Sequence, residues 1–365
     1  MKIGIPKEVM TGEGRIPLTP DACRVLVDAG HSVFIQQEAG ILSGYSDQEY
    51  RLIGAQIVSS SQKLYESARL IVKVKQPLDQ DIISLRSDHI LFSYLHLAAD
   101  FALVQTLCEL GLTAIPFESV LDESGHLPLL KPMSQVAGRI AAIRGASLLF
   151  RNRGGRGILL GGIDGAEAGR VVVLGAGVAG SHALASAVAL GARVDVIDLN
   201  ERKLQSLKEQ YPGIETHLST VEVVETLCID ADLVIGAVLL AGRRAPVVLR
   251  QPVIRQMNEG SVIVDISIDQ GGCVEGIHAT TSEDLYYIEH GVIHSAVPNM
   301  PATVARTSSQ SLSSAILPYV LILAGADLDA MADSESVQQR ALHHAMAVQG
   351  GGIVDKVLQD EIEKQ

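Results

Sequence analysis

The chain has 365 residues, 47% of them hydrophobic, and a formal net charge of −13. That length suits two domains with substantial cores, and the acidic balance excludes the basic stripe that would neutralise nucleic-acid phosphates. The four cysteines, Cys23, Cys108, Cys228 and Cys273, stand far apart and read as reduced thiols of a cytoplasmic protein, not as a disulfide frame or zinc site. Met1–Glu8 opens directly on a strand-like run, so no signal peptide is expected. No uninterrupted apolar stretch reaches the length of a membrane span.

From the N-terminus, Lys2–Ile5, Ser32–Ile35, Leu70–Val74, Ile90–Leu95 and Leu112–Ile115 are short runs rich in Ile, Val and Leu, separated by helical stretches. This alternation predicts a parallel sheet with helices on both faces. Val136, Ile140, Ile143 and Leu148 then recur near helical spacing, so Pro132–Phe150 reads as one long helix with Pro132 in its first turn. A basic, glycine-rich loop follows, Arg151–Gly157. A second alternating series runs through Val171–Leu174, Arg193–Ile197, Leu233–Ala237, Val262–Ile266 and Val292–Ala296. Ser308–Leu323 reads as another long helix returning to the first domain, and the charged stretch from Met331 reads as helical. The predicted fold class is α/β: two doubly wound Rossmann-like domains with mostly parallel sheets, joined by long helices, with a cleft between them. Residues 1–131 plus 308–365 form the expected substrate domain, and residues 132–307 the dinucleotide domain.

The second series opens on Arg170-Val-Val-Val-Leu-Gly-Ala-Gly-Val-Ala-Gly-Ser181. A buried strand leads into Gly175, Gly177 and Gly180 in G-x-G-x-x-G spacing, a helix follows, and the next strand ends on Asp198. That is the dinucleotide fingerprint in its full setting. Gly175 permits the tight turn, Gly177 lets the backbone approach a pyrophosphate, and Gly180 lets helix and strand pack closely. The helix N-terminus, from Val178 and Ala179, offers N–H groups to the phosphates. Asp198 accepts hydrogen bonds from ribose hydroxyls and repels a 2′-phosphate, so NAD is expected over NADP.

Ligands of doubly wound sheets bind beyond the carboxyl ends of the strands, which selects Arg15, Lys75, His96, Glu118 and Asp269 as candidates for chemistry. Each also has a structural explanation. A lysine near a strand end is commonly a solvated charge, with Lys73 as the natural control on the same face, and Asp265 and Asp269 suit turns or caps. Glu13, Glu118 and Asp269 do not form a spaced metal motif, so no metal is expected.

Several stretches carry a resemblance: Gly14-Arg-Ile-Pro-Leu-Thr-Pro20, Val72-Lys-Val-Lys-Gln-Pro-Leu78, Leu91-Phe-Ser-Tyr-Leu-His-Leu-Ala98, Leu127-Pro-Leu-Leu-Lys-Pro-Met-Ser134 and Gly155-Arg-Gly-Ile-Leu-Leu-Gly-Gly162. Ala231–Ala237, Ile263–Glu275 and Asn299-Met-Pro301 extend it. In these stretches, which span nearly the whole chain, the sequence resembles the alanine dehydrogenase family. The resemblance implies NAD-dependent, reversible oxidative deamination of L-alanine to pyruvate and ammonia, by a cytoplasmic homo-oligomer, a hexamer. It implies that Arg15 grips the substrate carboxylate, that Lys75 engages the carbonyl oxygen, that His96 is the acid/base residue and that Asp269 is the second catalytic residue. On the cofactor side it implies Ser134, Val178, Asp198, Lys203, Ser219, Val238, Leu239, Ile266, Ser267, Ile268, Asp269, Val297, Pro298, Asn299 and Met300, with His278 where the family usually has arginine.

The sequence departs from the family pattern at Gln76, Lys131, Gln135, His278, Ser282 and Ser295. Two lost carboxylates and a gained lysine alter the local field around His96 and Lys75. Two other readings stay open at this point: a sister dehydrogenase that joins an amine to a 2-oxo acid, and a non-catalytic NAD-binding regulator or transhydrogenase-like subunit. Retention of Arg15, Lys75, His96 and Asp269 together argues against the regulator.

Overall fold

The computed structural model describes residues 1–238, 244–281 and 283–363. Leu239 and Ser282, both singled out in the sequence, lie outside the described residues. The chain divides into two units, Met1–Met133 with Ala302–Gln365, and Ser134–Pro301.

In the first unit, β1 (Lys2–Ile5), β2 (Ser32–Gln36), β3 (Gln56–Val58), β4 (Leu70–Val72), β5 (Ile90–Ser93) and β6 (Thr113–Pro116) lie parallel in the order 6-5-4-1-2-3. The strands are continuous apolar runs because successive side chains enter opposite cores. Ile3, Ile5, Leu70, Val72, Ile90 and Phe92 fill one, while Ile71, Leu91 and Ala114 fill the other with Leu64, Leu103 and Leu107. Ile3 pairs with Val33 and Leu70, Leu70 with Ile90, and Ile90 with Thr113. This register brings the carboxyl ends of β1, β4, β5 and β6 to one rim, beside the point between β1 and β4 where the strand order reverses. The predicted strands to Val74 and Leu95 stop earlier, at Val72 and Ser93. Single bonds carry the pairing on, from Lys73 N–H to the Phe92 carbonyl and from Tyr94 N–H to the Val74 carbonyl, each 3.1 Å.

The second unit contains β7 (Arg170–Leu174), β8 (Arg193–Asp198), β9 (Glu215–Leu218), β10 (Leu233–Gly236), β11 (Val262–Asp265), β12 (Tyr287–Glu289) and β13 (Val292–Ser295), in the order 12-13-11-10-7-8-9. All pairs are parallel except the edge hairpin of β12 with β13. Val171 pairs with Val194 and Leu233, and Val262 with Leu233 and Ile293, so the carboxyl ends again share a rim. Here the order reverses between β7 and β10.

The expected return of the chain to the first unit is made by the helix Ala305–Gly325, whose Leu312, Ile316, Val320 and Leu323 join the first core. The expectation of helix throughout the C-terminal stretch is corrected. Between the helices Val337–His344 and Lys356–Glu363 the chain forms a hairpin of β14 (Val348–Gln349) and β15 (Gly352–Ile353), which pairs antiparallel with β6 and completes an eight-stranded sheet. Gly350 and Gly351 at its turn have φ of 57° and 86°, the left-handed region that glycine enters without a steric penalty. Among the described residues, no helix is long and apolar enough to cross a membrane.

His294 on β13 is 1% exposed and stacks on Tyr287, with ring centroids 5.0 Å apart and planes 7° from parallel. Desolvation lowers its pKa to about 4. Unfolding frees an imidazole that titrates near 6.5, so between those pH values the unfolded chain binds more protons and stability falls as the medium is acidified. The expected loss is at most about 3 kcal/mol from His294. His294→Phe should flatten the change in urea midpoint between about pH 7 and about pH 5. An unchanged dependence in the variant would show that His294 does not contribute.

Candidate active site

The turn after β1 is held from outside before any ligand is considered. Ile16 N–H donates to Ser309 Oγ at 2.9 Å and Thr19 N–H to Ser313 Oγ at 3.0 Å, both on the helix Ala305–Gly325. Ser43 Oγ donates to the Gly14 carbonyl at 2.7 Å. Arg15, in this turn, is 3% exposed. Its Nε and Nη2 donate to the two oxygens of Glu13 at 2.7 and 2.5 Å, and Nη1 meets Met133 Sδ at 3.0 Å. Burial opposes the charge, but the Glu13 carboxylate outweighs burial and raises the guanidinium pKa. A planar, fully charged fork, oriented along one edge, is suited to gripping a small carboxylate.

Lys75 is half-buried just beyond β4. Its N–H and that of Val74 donate to Glu8 Oε1 at 3.4 and 2.7 Å. Lys73 corrects the sequence reading: it is not a solvated control. Its side chain is 1% exposed, and its ammonium lies 3.2 Å from Asp81 and 3.5 Å from Glu8. Asp81 also accepts from the Tyr65 hydroxyl at 2.7 Å and from Leu78 N–H at 3.0 Å. Two lysines two positions apart thus have separate tasks, one structural and one at the rim.

His96 follows β5. Its ring stacks on that of Tyr94, centroids 6.3 Å apart and planes 18° from parallel, and the Tyr94 hydroxyl is anchored on the Leu129 carbonyl at 2.6 Å. Although His96 keeps exposed surface, desolvation, then the charges of Lys75 and Arg15, push its pKa down to about 4. The structure therefore gathers Arg15, Lys75 and a neutral His96 at one rim, close enough to act on one another. Glu118, which sequence reasoning had grouped with them, is turned to the backbone of this segment. Its carboxylate accepts backbone N–H groups of Leu95 and His96.

In the second unit the fingerprint has the geometry its spacing implies. Gly175 has φ of 101°, and a Cβ there would lie 2.6 Å from the Ala237 carbonyl oxygen. A Cβ on Gly180 would fall 1.8 Å from the Gly175 oxygen, whereas one on Gly177 would meet nothing within 4 Å. Gly177 caps the helix Val178–Ala189. Close packing below and open space above the helix N-terminus fit a dinucleotide pyrophosphate. Asp198 ends β8 and accepts from Ala176 N–H at 2.6 Å and Asn200 N–H at 2.7 Å, which ties the fingerprint turn to the end of β8. Val238 follows β10, Ser219 follows β9, and Lys203 is exposed on the helix Glu201–Gln210.

Beyond β11, Ile266, Ser267, Ile268 and Asp269 form a short helical turn. Asp265, fully buried, knots this loop by accepting from Ser267 N–H and Cys273 N–H, each at 2.8 Å, and from Val274 N–H at 3.3 Å. Ser267 Oγ donates to the Val238 carbonyl at 2.8 Å. Asp269 is exposed and accepts from Asn299 N–H at 3.1 Å. Val297, Pro298, Asn299 and Met300 follow β13, so these residues share the carboxyl rim. Ser134 lies near the start of the helix Lys131–Leu148, and His278 stands on the loop before β12, its ring 3.8 Å from that of Tyr287.

Sequence reasoning missed the orienting role of Glu13, Glu8 and Asp265 and the serines of the helix Ala305–Gly325. The available signal was weak: a carboxylate two residues before Arg15, and a Ser308-Ser-Gln-Ser-Leu-Ser-Ser stretch inside an apolar helix.

Residues 4–137 match the family described as alanine dehydrogenase/PNT, N-terminal domain, and residues 141–356 its C-terminal domain. An alanine dehydrogenase of Halomonas elongata is 44% identical over 325 residues, 89% of this chain and 88% of that protein. One of Bacillus subtilis is 42% identical over 341 residues, 93% and 90% of the two chains. A solved L-alanine dehydrogenase superposes with a TM-score of 0.95 at 44% identity, covering 100% of this chain and 99% of its own. Matches over both domains, at this identity and coverage, make the conclusion direct: the chain belongs to the alanine dehydrogenase/PNT family.

Proposed function

We propose that the protein is an NAD-dependent L-alanine dehydrogenase, interconverting L-alanine and water with pyruvate and ammonia. The observation that supports this reading is the grouping of a buried guanidinium, an ammonium and a neutral imidazole at one strand rim, in a chain that also carries the G-x-G-x-x-G turn. When bound between Gly175, Gly177 and Asp198, NAD supplies the redox chemistry by accepting hydride from the substrate α-carbon. The residues of the chain do the rest. Arg15, braced by Glu13, orients the substrate carboxylate. Lys75 stabilises negative charge developing on the oxygen that becomes the pyruvate carbonyl. His96, neutral above about pH 4, takes the proton of the water that adds to the α-carbon and returns it to the departing ammonia. Asp269 is the second catalytic residue of this proposal.

The test is stoichiometry. L-alanine and NAD should give NADH, pyruvate and ammonia in equal amounts, and NADH formation without ammonia would overturn the reading. Asp198 is proposed to exclude the 2′-phosphate of NADP. Asp198→Asn keeps an oxygen for Ala176 N–H and removes the repelling charge, so the ratio of kcat/KM for NAD over NADP should fall by at least about tenfold. An unchanged ratio would place discrimination elsewhere. The same proposal includes a homo-oligomer, a hexamer, acting in the cytoplasm. The four cysteines are all unpaired, which suits a reducing compartment, and light scattering should return six chain masses.

A further inference from the structure

We propose that Glu118 is the positioning residue for His96, holding the histidine in a backbone conformation it would not keep unaided; this rests on the alanine dehydrogenase reading of the site. His96 has φ of 51° and ψ of 36°, the left-handed region that a side chain with a Cβ disfavours. Such outliers persist only where the surroundings over-determine them. The surroundings here are specific. The ladder of β5 ends at Ser93, and Tyr94 N–H makes the last cross-strand bond, to the Val74 carbonyl. The next two amides then turn to a single carboxylate. Leu95 N–H lies 3.1 Å from Glu118 Oε1 and 3.3 Å from Oε2, and His96 N–H lies 2.6 Å from Oε1.

Glu118 comes from the turn Phe117–Ser119, directly after β6, the strand paired with β5. Its carboxylate therefore does at the rim what the next strand's carbonyls do within the sheet, but on two successive amides at once. With its N–H held by Glu118, the peptide plane entering His96 is fixed. The chain is held on the far side as well, where Ala99 N–H donates to the His96 carbonyl at 3.0 Å. With the backbone fixed at both ends, the imidazole stacks over Tyr94 and shares the rim with Lys75 and Arg15. Tyr94 is itself fixed by Leu129 and by the edge of Phe117, whose ring centroid is 5.0 Å away. Phe117 precedes Glu118, so one short turn supports both the ring and the backbone of the acid/base residue.

Lys75 acts electrostatically on both His96 and Glu118, so the test must separate position from charge. Glu118→Gln keeps an oxygen that can accept both amides and loses the charge. Glu118→Ala loses the acceptor. Glu118→Asp keeps the charge but withdraws it by one methylene. Each is compared with wild type and in the His96→Ala background, with wild-type turnover of L-alanine as the control for the functional reading. We expect Glu118→Gln to remain within about fivefold of wild-type kcat, and Glu118→Ala to fall about 100-fold with KM for NAD unchanged, as for a misplaced catalytic group. Glu118→Asp should fall at least about tenfold; it also serves if Glu118→Ala does not fold. In His96→Ala, none of these changes should cost further activity, because the group they position is gone. An equal loss in the presence and absence of the imidazole would overturn the proposal, as would a Glu118→Gln variant as impaired as Glu118→Ala. If wild type fails to turn over L-alanine, the functional reading fails and not the positioning argument. Amide hydrogen exchange at Leu95 and His96 then decides it, with protection expected in wild type and Glu118→Gln and lost in Glu118→Ala.

Discussion

His96→Ala should lower kcat by about 10³-fold, the range of a positioned acid/base group, with NAD affinity within about twofold of wild type, since no fingerprint residue is touched. The reason lies in the charge state. Desolvation, then the cations of Lys75 and Arg15, hold the imidazole at about 4, so it is a neutral base at any ordinary assay pH. A base with a depressed pKa works above that pKa and fails as the medium is acidified through it, so an acid limb governed by His96 lies well below 6.5. Removing one of the cations, as in Lys75→Gln, should move the imidazole titration upward, read from its proton resonances. A titration that stays put would show that Lys75 does not set the base. His96→Ala within about tenfold of wild type would remove His96 from the mechanism.

Lys73→Met should destabilise the protein by about 3 kcal/mol or more, as expected when two buried carboxylates lose the cation between them. Lys73 sits between Glu8 and Asp81 with all three side chains at most 4% exposed. Removing it leaves two carboxylates facing each other out of water. Burial already raises the Glu8 pKa against the pull of Lys73, so Glu8 would take up a proton in the variant. Stability of Lys73→Met should therefore recover as pH is lowered toward the carboxylate range, opposite to the acid loss expected from His294. Because Glu8 also holds the N–H groups of Val74 and Lys75, kcat should fall with stability. Urea unfolding at two pH values checks the first part. A change below about 1 kcal/mol would mean that the network is not what holds this loop.

Much of the fold was legible because strands covered on both faces must be continuous runs of Val, Ile and Leu. Leu70–Val72, Ile90–Ser93 and Val171–Leu174 could not be mistaken for surface. The missed strands lie at or beside sheet edges: β3 reads Gln-Ile-Val, β9 Glu-Thr-His-Leu, β12 Tyr-Ile-Glu, and β14 and β15 are two residues each. Such segments owe their state to a neighbour and not to their own pattern. At the site, the strand-end rule and the glycine spacing located the rims. The supporting carboxylates could not be read the same way. Glu118 reaches His96 across 22 positions and Glu8 reaches Val74 across 66, distances that only strand register closes. Lys73 was misread because its face of the chain, shared with Ile71, is buried beside Tyr65 and Asp81, and only the fold brings in the carboxylates of Glu8 and Asp81 that let a lysine be buried there. Asp265 showed its character partly: a cap was foreseen, but not that it ties Ser267 to Cys273 and so shapes the loop of Asp269.

Substrate choice is decided by the initial rate of NADH formation at alkaline pH with L-alanine, beside L-lysine, L-ornithine, glycine and L-serine. The kcat/KM for L-alanine should lie well above all the others. A preference for L-lysine or L-ornithine, or no turnover of any amino acid despite measurable NAD binding, would contradict the alanine dehydrogenase reading and make Gln76, Lys131 and Gln135 the marks of a different substrate.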